Sequence, residues 1–235
     1  CHHFPVVNSL SAFSFQPTDL NLKSIKTMFK KTFTYLLIVG LSISLSACDS
    51  STSAIDNEPV IAERVLEIPA DPYTGVDGDG RPLSAGVFTY YCLTENKIVP
   101  SSEANTTNWD IAFKGTSIIV NGGTSGPGQG AAQVADGLFA EVSSAPESGW
   151  LQDSAEGFAV PAGSGQGWYN YDPATHAITP IPGRVLLIRT ADGRFAKMSM
   201  VNYYKGLPEV PSFDSESRFI TFDFVFQPDG SRSFN

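Results

Sequence analysis

RVLLIRTADGRFAKMSM, residues 184–200, is the stretch that decides the fold class of this chain. Two strand-forming runs flank Asp192-Gly193, and an Asp-Gly pair in that position is a strong signal for a tight β-hairpin. Side chains alternate between the two faces of a strand, so Met198 and Met200 point the same way. We therefore predict a hairpin spanning 184–204 and assign both methionines to the core.

Further segments of the same kind lie on both sides of this hairpin. The stretch RFITFDFVF, residues 218–226, places Ile220, Phe222, Phe224 and Phe226 on one apolar face. Gly and Pro separate the segments, and β-branched and aromatic residues fill them. The predicted strands are 62–68, 86–93, 108–113, 116–120, 167–171, 184–190, 194–204 and 218–227.

Helical periodicity is weak throughout the chain. Segments 130–140 and 145–153 are predicted to form short helices at most, and 69–85 is loop-like by composition. The fold class predicted from the sequence is therefore mainly β, all-β or β-rich with a few short helices, in a single compact domain.

An export signal precedes this domain. The stretch MFKKTFTYLLIVGLSISLSAC, residues 28–48, has a basic head at Lys30-Lys31, an apolar run of about a dozen residues and small residues before a cysteine. The run is too short and too rich in serine for a typical membrane-spanning helix. Its last four residues resemble the lipobox of bacterial lipoproteins, which implies that Cys48 is lipidated after cleavage. An uncleaved anchor helix, the alternative, would also place the remaining chain outside the cytoplasm.

These features divide the chain into four parts. Residues 1–27 precede the methionine of the signal, and we interpret them as a non-native upstream extension. Residues 28–47 are the predicted lipoprotein signal peptide. Residues 48–60 comprise the lipidated Cys48 and a polar, flexible tether, and 61–235 form the β-rich domain. We expect an exported, lipid-anchored protein at the outer membrane or cell surface.

The charge balance excludes two classes of partner. The chain has 24 Asp and Glu against 15 Lys and Arg, for a net charge of −9. Four of the lysines and only one acidic residue, Asp19, precede Asp49, so the part after the signal is more acidic still. Nucleic acids and anionic lipid surfaces both require clustered positive charge, and neither is an expected partner.

Several short motifs predict structure rather than chemistry. The glycine-rich stretch 121–130 lacks the Lys-Ser/Thr ending of a phosphate-binding P-loop, and we predict a structural turn or a loop packed closely against a ligand. The stretch Asp77–Gly80 lacks the later ligands of a calcium loop and is predicted to be a turn. Cys92 lies in a predicted strand, where a buried, inert thiol is expected.

Catalysis is disfavoured. Beyond His3 the chain has one histidine, His176, and it has no G-x-S-x-G sequence, which argues against a hydrolase triad. A glycosidase needs only a pair of carboxylates, which a sequence cannot place together. We predict a binding protein and not an enzyme.

Seven segments carry a family resemblance. They are NWDIAF (108–113), NGGTSGPGQGA (121–131), PGRV (182–185), RTADGRFAKM (189–198), NYYKG (202–206), RFITF (218–222) and QPDGS (227–231). Together with the lipobox they resemble the HmuY-type lipoproteins over roughly residues 86–234. The resemblance implies a surface-anchored β domain for iron acquisition, which captures haem and delivers it to an outer-membrane haem receptor.

In that family two axial side chains, a His pair or a Met pair, hold the haem iron. Met198 and Met200 project from one side of one strand and cannot sandwich a flat ring. By resemblance, His176 is the candidate iron ligand, and Trp168, Tyr169 and Tyr171 are expected to line an apolar pocket. Either tyrosine could also ligate iron, and a five-coordinate site is equally open.

The opposing loop is expected to lie at 134–150, across a flat apolar slot from residues 165–180. It offers no His or Met. This leaves two other interpretations open. The pocket could take another planar apolar ligand, or the scaffold could serve as a surface binding or adhesion lipoprotein without a haem ligand pair.

Overall fold

The computed structural model describes residues 60–235. The strands are β1 (Glu63–Pro69), β2 (Gly75–Val76), β3 (Pro82–Leu83), β4 (Thr89–Cys92), β5 (Lys97–Val99), β6 (Ile111–Lys114), β7 (Ser117–Val120), β8 (Ala131–Asp136), β9 (Tyr169–Asp172), β10 (Ala177–Pro180), β11 (Arg184–Arg189), β12 (Phe195–Tyr204) and β13 (Ser217–Gln227). A single turn of 3-10 helix covers Ser101–Glu103. The predicted extension 1–27, signal peptide 28–47, Cys48 and tether up to residue 59 lie outside the described residues.

Two antiparallel sheets form the body of the domain. A five-stranded sheet has the order β1-β13-β12-β11-β8, and a four-stranded sheet has the order β5-β4-β6-β7. The ribbons β9–β10 and β2–β3 are separate two-stranded sheets. This arrangement confirms the predicted mainly β fold class.

The main core contains inward side chains of both large sheets. Met198, Phe222 and Phe224 from the five-stranded sheet belong to one buried cluster with Tyr91 and Phe113 from the four-stranded sheet. Phe222 lies at the centre of this cluster, with its ring centroid 5.6 Å from those of Tyr91 and Phe113. The apolar alternation of β12 and β13 therefore faces the core as predicted.

The five-stranded sheet is also covered on its other face. Val185, Leu187 and Val225 are buried there with Phe234, beneath the partly buried Phe139. A strand that is covered on both faces needs a continuous apolar run, which explains the sequence VLLI at 185–188.

The central hairpin has the predicted turn. Thr190 and Arg194 close it through a backbone hydrogen bond of 2.8 Å, and the side chain of Asp192 accepts a bond from Thr190 Oγ1 at 2.6 Å. Arg189 pairs with Phe195, which sets the register of β11 against β12.

The helix predictions were wrong. Residues 131–136 form β8, the edge strand that pairs with β11, and residues 145–153 contain no helix. The alanines of β8 have no strand preference of their own, and pairing with the apolar β11 determines their conformation. Strand β5 was not predicted, and 69–85 contains the short β2–β3 ribbon in addition to loop.

The glycine-rich stretch is a structural turn, as predicted. A β-carbon on Gly128 would lie 2.6 Å from the carbonyl oxygen of Asn121, and one on Gly130 would lie 2.5 Å from it. The buried Asn121 side chain accepts a bond from Gly128 N and donates to the carbonyl of Trp109. The loop is therefore packed against its own chain.

The structure confirms two more local predictions, the turn at Asp77–Gly80 and the buried Cys92. Asp77 accepts bonds from the backbone of Asp79 and Arg81, so that segment is a turn. Cys92 is buried, and burial raises the pKa of its thiol.

Between residues 60 and 235 we find no helix with the length and hydropathy needed to cross a bilayer.

Candidate functional site

A cavity of about 570 Å³ lies between the β9–β10 hairpin and the segment that joins β12 to β13. Its aromatic lining consists of Tyr73, Tyr171, His176, Tyr203, Tyr204 and Phe213. The polar side chains of Thr175, Ser212, Ser215, Glu216 and Ser217 also border it. A volume in this range is typical of small-molecule sites.

The β9–β10 turn positions His176. Asp172 Oδ1 accepts a bond from the backbone of Ala174, and its Oδ2 accepts one from Thr175 Oγ1. His176 completes the turn with φ = 58°, in the left-handed region that few residues other than glycine adopt readily. The turn therefore holds an exposed imidazole, on a backbone in the left-handed conformation, at the edge of the cavity.

Tyr171 orients this imidazole. Its hydroxyl lies 2.6 Å from His176 Nδ1. When Nδ1 carries the proton and donates to the phenol oxygen, the lone pair of Nε2 is available to a ligand. Histidines that bind metals are commonly held in this way through their second ring nitrogen.

The floor of the cavity comes from the end of β12. Pairing with β13 is irregular between Met200 and Tyr204, and such bulges redirect side chains. Tyr204 Oη accepts a bond from Ile178 N at 2.9 Å, which fixes the β9–β10 hairpin to the main sheet. Burial raises the pKa of Tyr203, and the nearby Arg218 opposes that rise.

Two of the aromatic residues predicted for the pocket lie elsewhere. Trp168 is 1% exposed, belongs to the main core, and donates from Nε1 to the carbonyl of Thr116 at 2.8 Å. Tyr169 is buried in the same cluster. Neither borders the cavity. Of the four predicted residues, His176 and Tyr171 border it. The methionines of β12 are buried in the core as predicted.

The expected slot between 134–150 and 165–180 is not where the cavity lies. Phe139 and Val142 pack on Val185 and Leu187, whereas Trp168 shares the opposite face of the sheet with Leu186. No residue of 134–150 borders the cavity beside His176.

Lys197 explains the course of the 134–150 segment. This side chain is 4% exposed and donates from Nζ to the carbonyls of Phe139 and Val142, at 2.8 Å each. Burial lowers the pKa of Lys197, and two carbonyl oxygens and the ring of Phe139 surround its ammonium group. The segment is thereby tied to the outer face of the sheet, away from His176.

Tyr73 and Phe213 border the cavity but were missed by the sequence analysis. Tyr73 lies in the loop-like stretch 69–85, and Phe213 lies in the turn-rich segment between β12 and β13. Neither segment has a periodicity that would indicate which way its side chains point.

The buried carboxylates hold the scaffold together. Asp110 accepts bonds from the backbone of Leu93 and Ala191, and burial raises the pKa of its carboxyl group. Asp153 accepts bonds from the backbone of Val120 and Ala159.

Residues 60–235 contain no cluster of three or more His, Cys, Asp or Glu side chains suited to a metal ion.

Residues 60–235 form two packed β-sheets with an aromatic-bordered cavity beside His176. The family model for the HmuY protein matches residues 85–215, more than half of the sequence, and the chain belongs to the HmuY family. No curated protein matches the sequence.

Several solved structures are similar to this chain. A Bacteroides vulgatus protein described as HmuY-like and haem-binding has 17% identity and a TM-score of 0.43, over 70% of this chain and 91% of that chain. A Bacteroides fragilis protein described as a lipoprotein has 19% identity and a TM-score of 0.45, over 73% and 93%. An apo HmuY analogue from Tannerella forsythia has 14% identity and a TM-score of 0.41, over 72% and 96%.

Proposed function

We propose that this protein binds haem, or a related tetrapyrrole, without transforming it. The observation that carries the proposal is His176, hydrogen-bonded through Nδ1 to Tyr171 at the edge of an aromatic cavity in a chain of the HmuY family. A porphyrin is flat and apolar, and its iron accepts an imidazole nitrogen as axial ligand. The exposed His176 Nε2 is the nitrogen donor that this site offers.

The cellular role follows from the proposed signal at 28–48. We propose that residues 28–47 are removed as a signal peptide. Cys48 would then carry the lipid, and 48–60 would tether the domain 61–235 to the outer membrane or cell surface. A protein held there could pass haem to an outer-membrane haem receptor for iron acquisition.

Titration with ferric haemin tests the binding proposal. We expect the purified protein to shift the Soret band of haemin to a new position, and the His176→Ala variant to lose the spectral signature of imidazole ligation. Tyr171→Phe should retain the shift with weaker affinity, because the ring loses its hydrogen-bond partner. An unshifted Soret band in the unsubstituted protein would contradict the proposal.

A second function is favoured by the composition of the cavity. One imidazole and no methionine border it, so the chain itself does not supply a His or Met pair. The same scaffold could instead be a surface binding or adhesion lipoprotein. Phe213 and Val210, 88% and 82% exposed, would then belong to its contact surface. Failure of the haemin titration would favour this second function.

A further inference from the structure

A second donor borders the same cavity. Tyr73 lies between β1 and β2, before the residues matched by the family model, and is 48% exposed. Its ring belongs to the lining that also contains His176. The two side chains come from separate elements, the segment after β1 and the turn between β9 and β10.

Arg218, at the start of β13, holds this phenol. Its guanidinium lies 4.0 Å from the centre of the Tyr73 ring, and its Nη2 donates to Tyr73 Oη at 3.1 Å. The planar guanidinium can stack on an aromatic ring and donate a hydrogen bond at the same time, so two contacts restrain the Tyr73 side chain. The contact therefore fixes the position of the phenol oxygen at the border of the cavity.

Asp71 fixes Arg218 from the other side. Arg218 Nη1 donates to the carbonyl of Asp71 at 2.8 Å and lies 3.3 Å from its Oδ2. The buried Asp71 carboxylate also accepts bonds from Ser84 Oγ and Gly86 N.

Both residues of this ion pair have a positive φ. Arg218 has φ = 68°, in the left-handed region that is costly for most residues with a β-carbon, and Asp71 has φ = 60° in the same region, which aspartate visits more readily. Strain of this kind persists where the surrounding structure requires it and is concentrated at functional sites. Here the hydrogen bonds of Arg218 to Asp71 hold its guanidinium against Tyr73.

We propose that the Tyr73 phenolate, positioned by Arg218, is the oxygen donor to the iron of a bound ferric porphyrin. This inference rests on the proposed haem binding and names a coordinating residue for it. The step is a ligand exchange without electron transfer. The phenol proton passes to hydroxide bound on the iron, which leaves as water, and a lone pair of Tyr73 Oη forms the new bond to iron.

The Tyr73→Phe variant tests the assignment with two probes, ferric haemin and metal-free protoporphyrin. Phenylalanine keeps the ring and removes only the donor atom. We expect the Kd for haemin to rise about tenfold or more and the phenolate-to-iron bands in absorption and resonance Raman spectra to disappear. The Kd for metal-free protoporphyrin should stay within about twofold, because that ligand has no iron to bind.

Two further variants complete the experiment. Tyr90→Phe, whose ring packs on Trp109 in a different cluster, is the matched control and should leave both affinities and the bands unchanged. Arg218→Lys keeps the charge without the planar fork and should weaken the phenolate bands.

The outcomes separate the two proposals. Phenolate bands that survive Tyr73→Phe, or equal losses of affinity for both probes, would overturn the role of Tyr73 while haem binding stands. A protein that does not bind haemin at all would overturn both.

Discussion

At the scale of single residues, His176 combines an unfavourable backbone conformation with the nitrogen that the proposed function needs. Its φ of 58° suits glycine better than any residue with a β-carbon. We expect His176→Gly to be more stable than His176→Ala by about 1 kcal/mol, since alanine keeps the β-carbon in the left-handed region. Both should lose imidazole ligation. Urea denaturation measures the difference, and equal stabilities would contradict the strain argument.

Asp71 makes the stability of the domain sensitive to acid. Burial acts to raise the pKa of its carboxyl group, but bonds from Ser84 and Gly86, with the charge of Arg218, bring the pKa below the usual 3.8. The unfolded chain therefore takes up a proton at a higher pH than the native protein does. Asp71 contributes stability above about pH 4 that is lost as the pH falls through its lower native pKa.

The Asp71→Asn variant tests this contribution. It should be less stable than the unsubstituted protein at pH 7 and lose less stability between pH 4 and pH 2, as measured by urea denaturation at each pH. Asp79→Asn, in the exposed turn after β2, is the control and should follow the unsubstituted protein. If the Asp71→Asn variant lost as much stability between pH 4 and pH 2 as the unsubstituted protein, the assignment would be contradicted.

At the scale of elements, β13 and the segment before it differ in how much stability their phenylalanines supply. Phe222 is fully buried between the two large sheets, whereas Phe213 is 88% exposed. We expect Phe222→Ala to lower the free energy of unfolding by about 3–5 kcal/mol, because it leaves a cavity in the core. The same change at Phe213 should alter it by less than about 0.5 kcal/mol. Comparable losses in chemical denaturation would show that the core lies elsewhere.

The strands also show where sequence patterns succeed. β12 and β13 were predicted because alternating apolar residues indicate both that a strand forms and which of its faces is buried. β8 was not, because Ala131-Ala132-Gln133 has no strand preference and acquires its conformation from pairing with β11.

At the scale of the whole molecule, we expect Cys48 to decide whether the domain stays with the membrane. Cys48→Ser removes the thiol that the lipobox resemblance assigns to the lipid. The variant should incorporate no radiolabelled fatty acid and should no longer be recovered as a processed, membrane-associated form. Cys92→Ser, in the domain, is the matched control and should still be labelled. Labelling of the Cys48→Ser variant would contradict the proposed anchor.

The sequence by itself determined the β class and the central hairpin with its core-facing methionines, and it singled out His176 as the candidate ligand. These follow from alternation, turn chemistry and residue counts, which are local properties of the chain. The tertiary structure decided which aromatic side chains surround that histidine. Trp168 and Tyr169 are buried in the core, whereas Tyr73 borders the cavity. Arg218 holds Tyr73 there and also contacts Asp71, which lies 147 residues away in sequence. Contacts across such separations depend on how the sheets pack, and no local pattern encodes them.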